Sequence, residues 1–151
     1  MRYFLDCEYN GFGGDLISLA LVPEDGGEEF YVVLAESSPP NAWVAQNVIP
    51  YLQHVPEGLK GQPLQREQAA ILLAAWLTGL REVELVADWP DDIALFCRLL
   101  TIGEGRMVPV PPLTFRLVSL PGFSTAANSE VPHNALHDAR SLRNHVLAHL
   151  E

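Results

Sequence analysis

Apolar positions along the chain fall first into short continuous or alternating runs and later into a helical period. Residues 2–7 (RYFLDC), 15–23 (DLISLALVP) and 28–35 (EEFYVVLA) predict three strands, the third rich in the aromatic and β-branched side chains that suit a pleated surface. Asn10-Gly11-Phe12-Gly13-Gly14 and Glu24-Asp25-Gly26-Gly27 supply the glycines that tight links between strands require, so the three strands predict an antiparallel meander. Beyond Pro39-Pro40 the repeat lengthens. A helix is expected over 41–53 and another over 64–80, where Ile71, Leu72, Ala75 and Trp76 recur at helical spacing and Gly79 closes the run. Residues 84–87 predict a strand, about 90–100 a helix with Pro90 in its first turn, and 113–120 a further strand. The last helix is expected over 134–150, with Leu136, Ala139, Leu142, Val146 and Leu150 as its apolar stripe. Segments 103–112 and 121–132 read as loops from their Pro, Gly, Ser and Asn content. There is no internal repeat. The element order predicts an α/β fold: a mixed sheet, built from the meander plus two further strands, flanked by helices.

Composition narrows the class. A chain of 151 residues with 48% apolar and 19% charged residues is expected to form one folded domain spanning 1–151. No run approaches the roughly 18 consecutive apolar residues of a membrane span. The opening Met-Arg-Tyr-Phe-Leu-Asp-Cys-Glu breaks its apolar run with acids, unlike a signal peptide, so a cytoplasmic location without membrane attachment is expected. Cys7 and Cys97 match no metal or redox spacing and read as reduced core thiols. Lys60 is the only lysine and the formal net charge is −10, which argues against a protein that coats long nucleic acid through a basic surface. A nuclease gripping a short end through bound cations is compatible with that charge.

Three places could carry chemistry. Asp6 and Glu8, two apart at the end of the first strand, leave one face while Cys7 leaves the other. Such a pair is either solvated beyond the strand, paired with Arg, or bound to a cation. His133 lies five positions before Asp138, so the two cannot share a helix face. His133 is therefore expected on the entering loop, with Asp138 flanking the stripe that faces the sheet. Asp88, Asp91 and Asp92 surround Trp89-Pro90 at a strand-to-helix junction, where Asp88 looks like an N-cap and capping alone could account for each acid.

Taken together, Asp6-x-Glu8, Asp92 at a helix start and His133-x4-Asp138 resemble the motif set of the DEDD superfamily of 3′-to-5′ exonucleases, in its histidine-containing branch. The opening RYFLDCEYNGFGGDLISLALV, followed by an acidic turn and EEFYVVL, is most similar to the small bacterial exoribonuclease-like members, and the motifs extend over nearly the whole chain. The resemblance implies a ribonuclease-H-like fold and two divalent cations, Mg²⁺ or Mn²⁺. In that scheme Asp6 bridges both ions, Glu8 and Asp138 complete the first site, Asp92 serves the second, and His133 is the general base. Single-stranded RNA, or alternatively DNA, would be shortened from its 3′ end with release of nucleoside 5′-monophosphates. Short substrates are favoured by the acidic surface, and a homodimer is implied. The chain departs from the pattern at Asp88 and Asp91, where relatives carry an amide or small residue and an aromatic. Asp88 thus rivals Asp92, for which the following Ile93, Ala94, Leu95 and Phe96 speak.

Tyr9, Asn10, Gly11 and Phe12, directly after the first acids, are placed to meet a terminal nucleotide, and Phe12 could stack on a base. Arg140 and Arg143 are candidates for phosphate contact. A zinc hydrolase is a further alternative, using the i, i+4 pairs His133/His137 or His145/His149, although neither carries the Glu of H-E-x-x-H. A catalytically silent nuclease fold serving as an interaction module is another; such a protein usually lacks a ligand, whereas this chain keeps a candidate at every position.

Overall fold

Strand β1 (Arg2–Tyr9) is the middle of the sheet, because its alternate residues are apolar on both faces. The computed structural model describes residues 1–150. Tyr3, Leu5 and Cys7 enter one apolar cluster while Phe4 enters another on the opposite face. β2 (Leu16–Pro23) and β3 (Phe30–Val33) follow β1 as the antiparallel meander, and β4 (Val83–Ala87) pairs parallel with β1 on its other side. β7 (Leu113–Leu117) pairs parallel with β4, giving the order β3-β2-β1-β4-β7. This is the expected mixed sheet, of ribonuclease-H-like type.

Helices α2 (Arg66–Leu77) and α3 (Pro90–Leu100) cover the face of Tyr3 and Leu5, where Leu73, Leu77, Phe96 and Leu99 are fully enclosed. Helix α4 (Ala135–His149) covers the other face, placing Leu142 and Val146 against Phe4 and Val86, and Leu136 against Ala20 and Val22. A sheet with both faces covered needs near-continuous apolar strands, as β2 and β4 are.

Several elements differ from expectation. The helix over 41–53 is α1 (Ala42–Asn47) followed by a 3₁₀ turn at Ile49–Tyr51. Pro50 has no N–H to continue an α-helical ladder, which ends it there. The third strand is confined to Phe30–Val33, after which Leu34 makes an isolated parallel bridge to Leu64. Thr101–Gly103 and Arg106–Met107 form a small hairpin (β5 and β6) at the start of the expected loop, turning at Gly105 with φ +66°.

In α2 the buried residues are Ala69, Ala70, Leu73, Ala74 and Leu77, whereas Ile71 and Leu72 are exposed. The helix is apolar on nearly every side, so periodicity alone could not choose the face. Leu150 is exposed beyond the end of α4, and Cys97 is exposed on the outer side of α3, so only Cys7 is a core thiol. Among the described residues no helix is long and apolar enough to cross a membrane.

The face assigned to α2 can be checked by stability. Leu73→Ala should cost ~2–5 kcal/mol, and Ile71→Ala within about 0.5 kcal/mol. Urea unfolding would show this as a large and a negligible shift in midpoint at constant slope; equal shifts would contradict the assigned face.

Candidate metal centre

The site forms where β1 outruns its partner. Parallel pairing of β1 with β4 ends at Phe4↔Val86, leaving the last residues of β1 without a strand on that side. The Cys7 N–H donates instead to Asp92 Oδ1 at 3.1 Å, so the first turn of α3 is pinned to the end of β1. Asp6 and Glu8, on the face of Phe4, meet the start of α4. The carboxyl ends of parallel strands and the N-termini of the following helices thus converge, the usual place for ligands in open α/β sheets.

Entry into α4 is tightly specified. Asn134 caps the helix by accepting from the N–H groups of Leu136 at 3.1 Å and His137 at 3.3 Å, while its Nδ2 donates to the Tyr51 carbonyl at 2.9 Å. Immediately before it, His133 has φ +65°, the only positive value among the described non-glycine residues. Left-handed backbone at a non-glycine residue costs energy and persists where surroundings enforce it. The His133 imidazole packs in a T-shaped contact with Trp43, with ring centroids 4.8 Å apart.

The acids separate into two groups with the spacing of cation ligands. Glu8, His133 and Asp138 each offer a ligand atom within 4.8 Å of the others, and so do Asp6, Asp88 and Asp92. Asp92 and Asp138 are each 3% exposed and Asp6 7%. Asp88 is not an N-cap: Trp89 takes that position, and its side chain makes no capping bond. Asp88 and Asp92, rivals by sequence, therefore stand in the same group.

Their protonation records the crowding. Burial, then Asp92, Glu8, Asp138 and Asp88 in turn, push the Asp6 carboxyl well above the usual carboxylate range. Burial and the adjacent Asp138 raise Glu8 to about 9. Asp138 is raised to about 6 by burial, against opposing hydrogen bonds from Ser129, Glu8 and the His133 backbone. Asp92 is raised by burial and Asp88 despite the Cys7 N–H, and Asp88 by burial. Burial lowers His133, favouring its neutral form.

A divalent cation fits this arrangement. Asp6 Oδ2 and Asp138 Oδ1 are buried without any hydrogen-bond partner. Among the described residues no Lys or Arg lines the adjoining cleft of about 440 Å³. Unpaired buried carboxylates cost several kcal/mol unless neutralised, and an oxygen-rich set suits hard Mg²⁺ or Mn²⁺.

Other sequence candidates have separate places. Tyr9, Gly11 and Phe12 line the cleft. Asn10 does not: its amide donates to Ser38 and Pro39 and accepts from the Asn41 N–H, bracing the loop. Gly14 is required within this turn, since a Cβ would lie 2.0 Å from the Asn10 carbonyl oxygen. Asp91 serves as a bracket, accepting from Tyr9 Oη at 3.1 Å and Trp89 Nε1 at 3.0 Å.

Arg140 is held by Glu29 and Arg143 by the carbonyls of Pro23 and Glu24, so neither is free for phosphate. His137 Nε2 donates to the His54 carbonyl, His145 stacks on Phe123, and His137, His145 and His149 join no metal-capable group among the described residues, so neither histidine pair acts together. Sequence reasoning missed Trp43 and Trp89, which line the cleft. Trp89 had a signal in its position between acids; Trp43 had none, because only folding brings α1 to the site.

Fold and site together define an α/β protein of ribonuclease-H-like architecture with a buried acidic cluster capable of holding metal. No protein-family model matches the chain, and no curated protein matches it in sequence. A solved structure to which it is similar is Exonuclease X in complex with 5′ overhanging duplex DNA, at a TM-score of 0.52 and 16% identity over 100% of this chain and 94% of that one. At that identity the likeness establishes the fold alone.

The raised acids give a test of cation binding. Glu8 and Asp138 hold protons in the folded protein where the unfolded chain is ionised. Their stabilising contribution is complete below the ordinary carboxylate range and is lost as pH rises through about 6 for Asp138 and about 9 for Glu8. Metal-free protein should therefore melt at falling temperatures from roughly pH 5 to roughly pH 9. Mn²⁺ competes with those protons and should raise Tm more at the upper end. Melts in EDTA and in Mn²⁺ would show it; an equal gain at both ends would count against this cluster as the cation site.

Proposed function

We propose that residues 1–151 form a metal-dependent 3′-to-5′ exonuclease domain that shortens single-stranded nucleic acid, with RNA the favoured substrate. The observation that carries this reading is the convergence of buried, unpartnered carboxylates with a neutral histidine beside an open cleft. The likeness in fold to an exonuclease and the motif resemblance support it.

Asp6, Glu8, Asp92 and Asp138 would hold two divalent cations, Mg²⁺ or Mn²⁺. Asp6 is suited to serve both groups, since it feels Asp92, Glu8, Asp138 and Asp88 together. When bound, the cations supply Lewis acidity and neutralise charge at the scissile phosphate. His133, neutral and within reach of Glu8 and Asp138, takes a proton from the attacking water at its free ring nitrogen. The water oxygen bonds to phosphorus, the bond from phosphorus to the upstream O3′ breaks, and a nucleoside 5′-monophosphate leaves. Upstream, the leaving O3′ takes a proton from solvent water and a new 3′-hydroxyl remains. The acidic surface favours short substrates, the reaction is assigned to the cytoplasm, and relatives of this type suggest a homodimer.

A DNA-specific exonuclease is a second reading, favoured by the duplex DNA bound to Exonuclease X. RNA and DNA oligomers labelled at either end, incubated with Mn²⁺, Mg²⁺ or EDTA, separate the two. Stepwise loss from the 3′ end, abolished by EDTA, is expected, and cleavage unaffected by EDTA would sink the proposal. His133→Ala should lower kcat by ~10²–10⁴-fold, and Asp6→Ala should abolish turnover. Asp92→Asn should impair turnover more than Asp88→Asn; the reverse would reassign the ligand.

A further inference from the structure

Asp88 is the one acid of the buried cluster to which the function proposed above gives no task. It directly follows β4, whose last residue, Ala87, accepts from the Val118 N–H at 2.9 Å. The N-cap position of α3 belongs to Trp89, so neither strand nor helix uses the Asp88 side chain. Its carboxyl is half-buried, and the hydrogen bond it receives comes from its own backbone. A carboxylate so placed is costly unless something neutralises it.

Its neighbours in space are two more acids. One oxygen each of Asp6, Asp88 and Asp92 lies within 4.8 Å of the others. Asp6 is almost wholly buried with Oδ2 unpartnered, and Asp92, equally buried, commits Oδ1 to the Cys7 N–H. The three cannot simply swing apart. Ala87 is tied to Val118 at one end of the segment and Asp92 to Cys7 at the other, while Asp91 between them holds Tyr9 and Trp89. Asp88 repels Asp6, Asp92 and Asp138 alike, and no Lys or Arg among the described residues lines the cleft to offset it. Three braced carboxylates with no nitrogen or sulfur donor among them suit one hard divalent cation.

We propose that Asp88 is a direct ligand of the second cation, closing with Asp6 and Asp92 a three-carboxylate site that takes Mg²⁺ or Mn²⁺ before any nucleic acid arrives. The inference rests on the cation-binding part of the function proposed above and adds a fifth acid to it. Removing the charge of Asp88 then acts in opposite directions. Metal-free protein is relieved of repulsion and gains stability, whereas affinity for one cation falls. Asp91 provides the comparison, because it carries the same charge on the same segment and belongs to neither metal-capable group.

The test titrates the whole protein, stripped with EDTA and dialysed, with Mn²⁺ alone, and follows free Mn²⁺ by electron paramagnetic resonance. Wild-type protein should bind two ions without nucleic acid. Asp88→Asn should weaken one of them by roughly 10- to 30-fold and leave the other nearly unchanged, the size expected for a unit charge beside a divalent ion. That loss should persist in ~1 M salt, where the Debye length is about 3 Å and a distant charge is screened. Asp91→Asn keeps an acceptor for Tyr9 and Trp89 and should shift either affinity by about threefold or less. In EDTA at pH 8, Asp88→Asn should melt above wild type, which also shows that it folds. The Mn²⁺ concentration for half-maximal cleavage should rise with the loss of affinity, and excess Mn²⁺ should restore kcat.

Equal losses in Asp88→Asn and Asp91→Asn, a loss that disappears in high salt, or a lower Tm of Asp88→Asn in EDTA would overturn the ligand role while leaving the exonuclease reading intact. Two bound Mn²⁺, one dependent on Asp88, with no cleavage of any labelled oligomer would support the ligand and overturn the exonuclease reading.

Discussion

Repulsion among Asp6, Glu8, Asp88, Asp92 and Asp138 is the constraint around which this structure is arranged. Each is pushed toward protonation by burial, all but Asp88 also by the neighbouring acids, and two of their oxygens have no partner at all. Left alone such a cluster opposes folding, because charged groups lose water without gaining a counter-charge. The surrounding apolar packing outweighs that cost: Phe4 and Leu5, fully buried just before Asp6, anchor the strand on both faces, and Leu136 and Leu142 do the same for Asp138.

Polar contacts around the cluster set direction more than stability. One N–H, that of Cys7, aims Asp92, and it is available because β1 continues past its pairing with β4. Asn134 fixes the start of α4, while the left-handed backbone at His133 turns the imidazole toward Glu8. These devices hold ligands in place at the rigid ends of strands and helices, where position is retained better than on free loops. Tyr9, Phe12, Trp43 and Trp89 line the cleft, and the arginines of α4 are spent on Glu29 and on the turn after β2.

Much of the scaffold was legible in the sequence. Strand cores and glycine turns announced the meander, and Pro90 and Asn134 marked the openings of α3 and α4 closely. Misreadings occurred where local pattern carries no tertiary information. An evenly apolar α2 could have turned either side inward, and Ile71 and Leu72, although they recur at helical spacing, lie on the exposed one. Asp88 looked like a cap, yet in space it belongs with Asp6 and Asp92. Asn10 looked available for ligand, but its side chain is consumed by Ser38, Pro39 and Asn41.

By itself the sequence determined the order of elements, the residue types able to hold a cation, and the spacing that keeps His133 off the helix bearing Asp138. Periodicity and chain stereochemistry are local, and they suffice for such features. Only the tertiary structure decided which acids face one another, which arginines are already paired, and that Trp43 and Trp89 border one cleft. Those relations join residues up to 130 positions apart in the chain, and Coulombic and packing energies depend on distance in space, which the sequence does not contain.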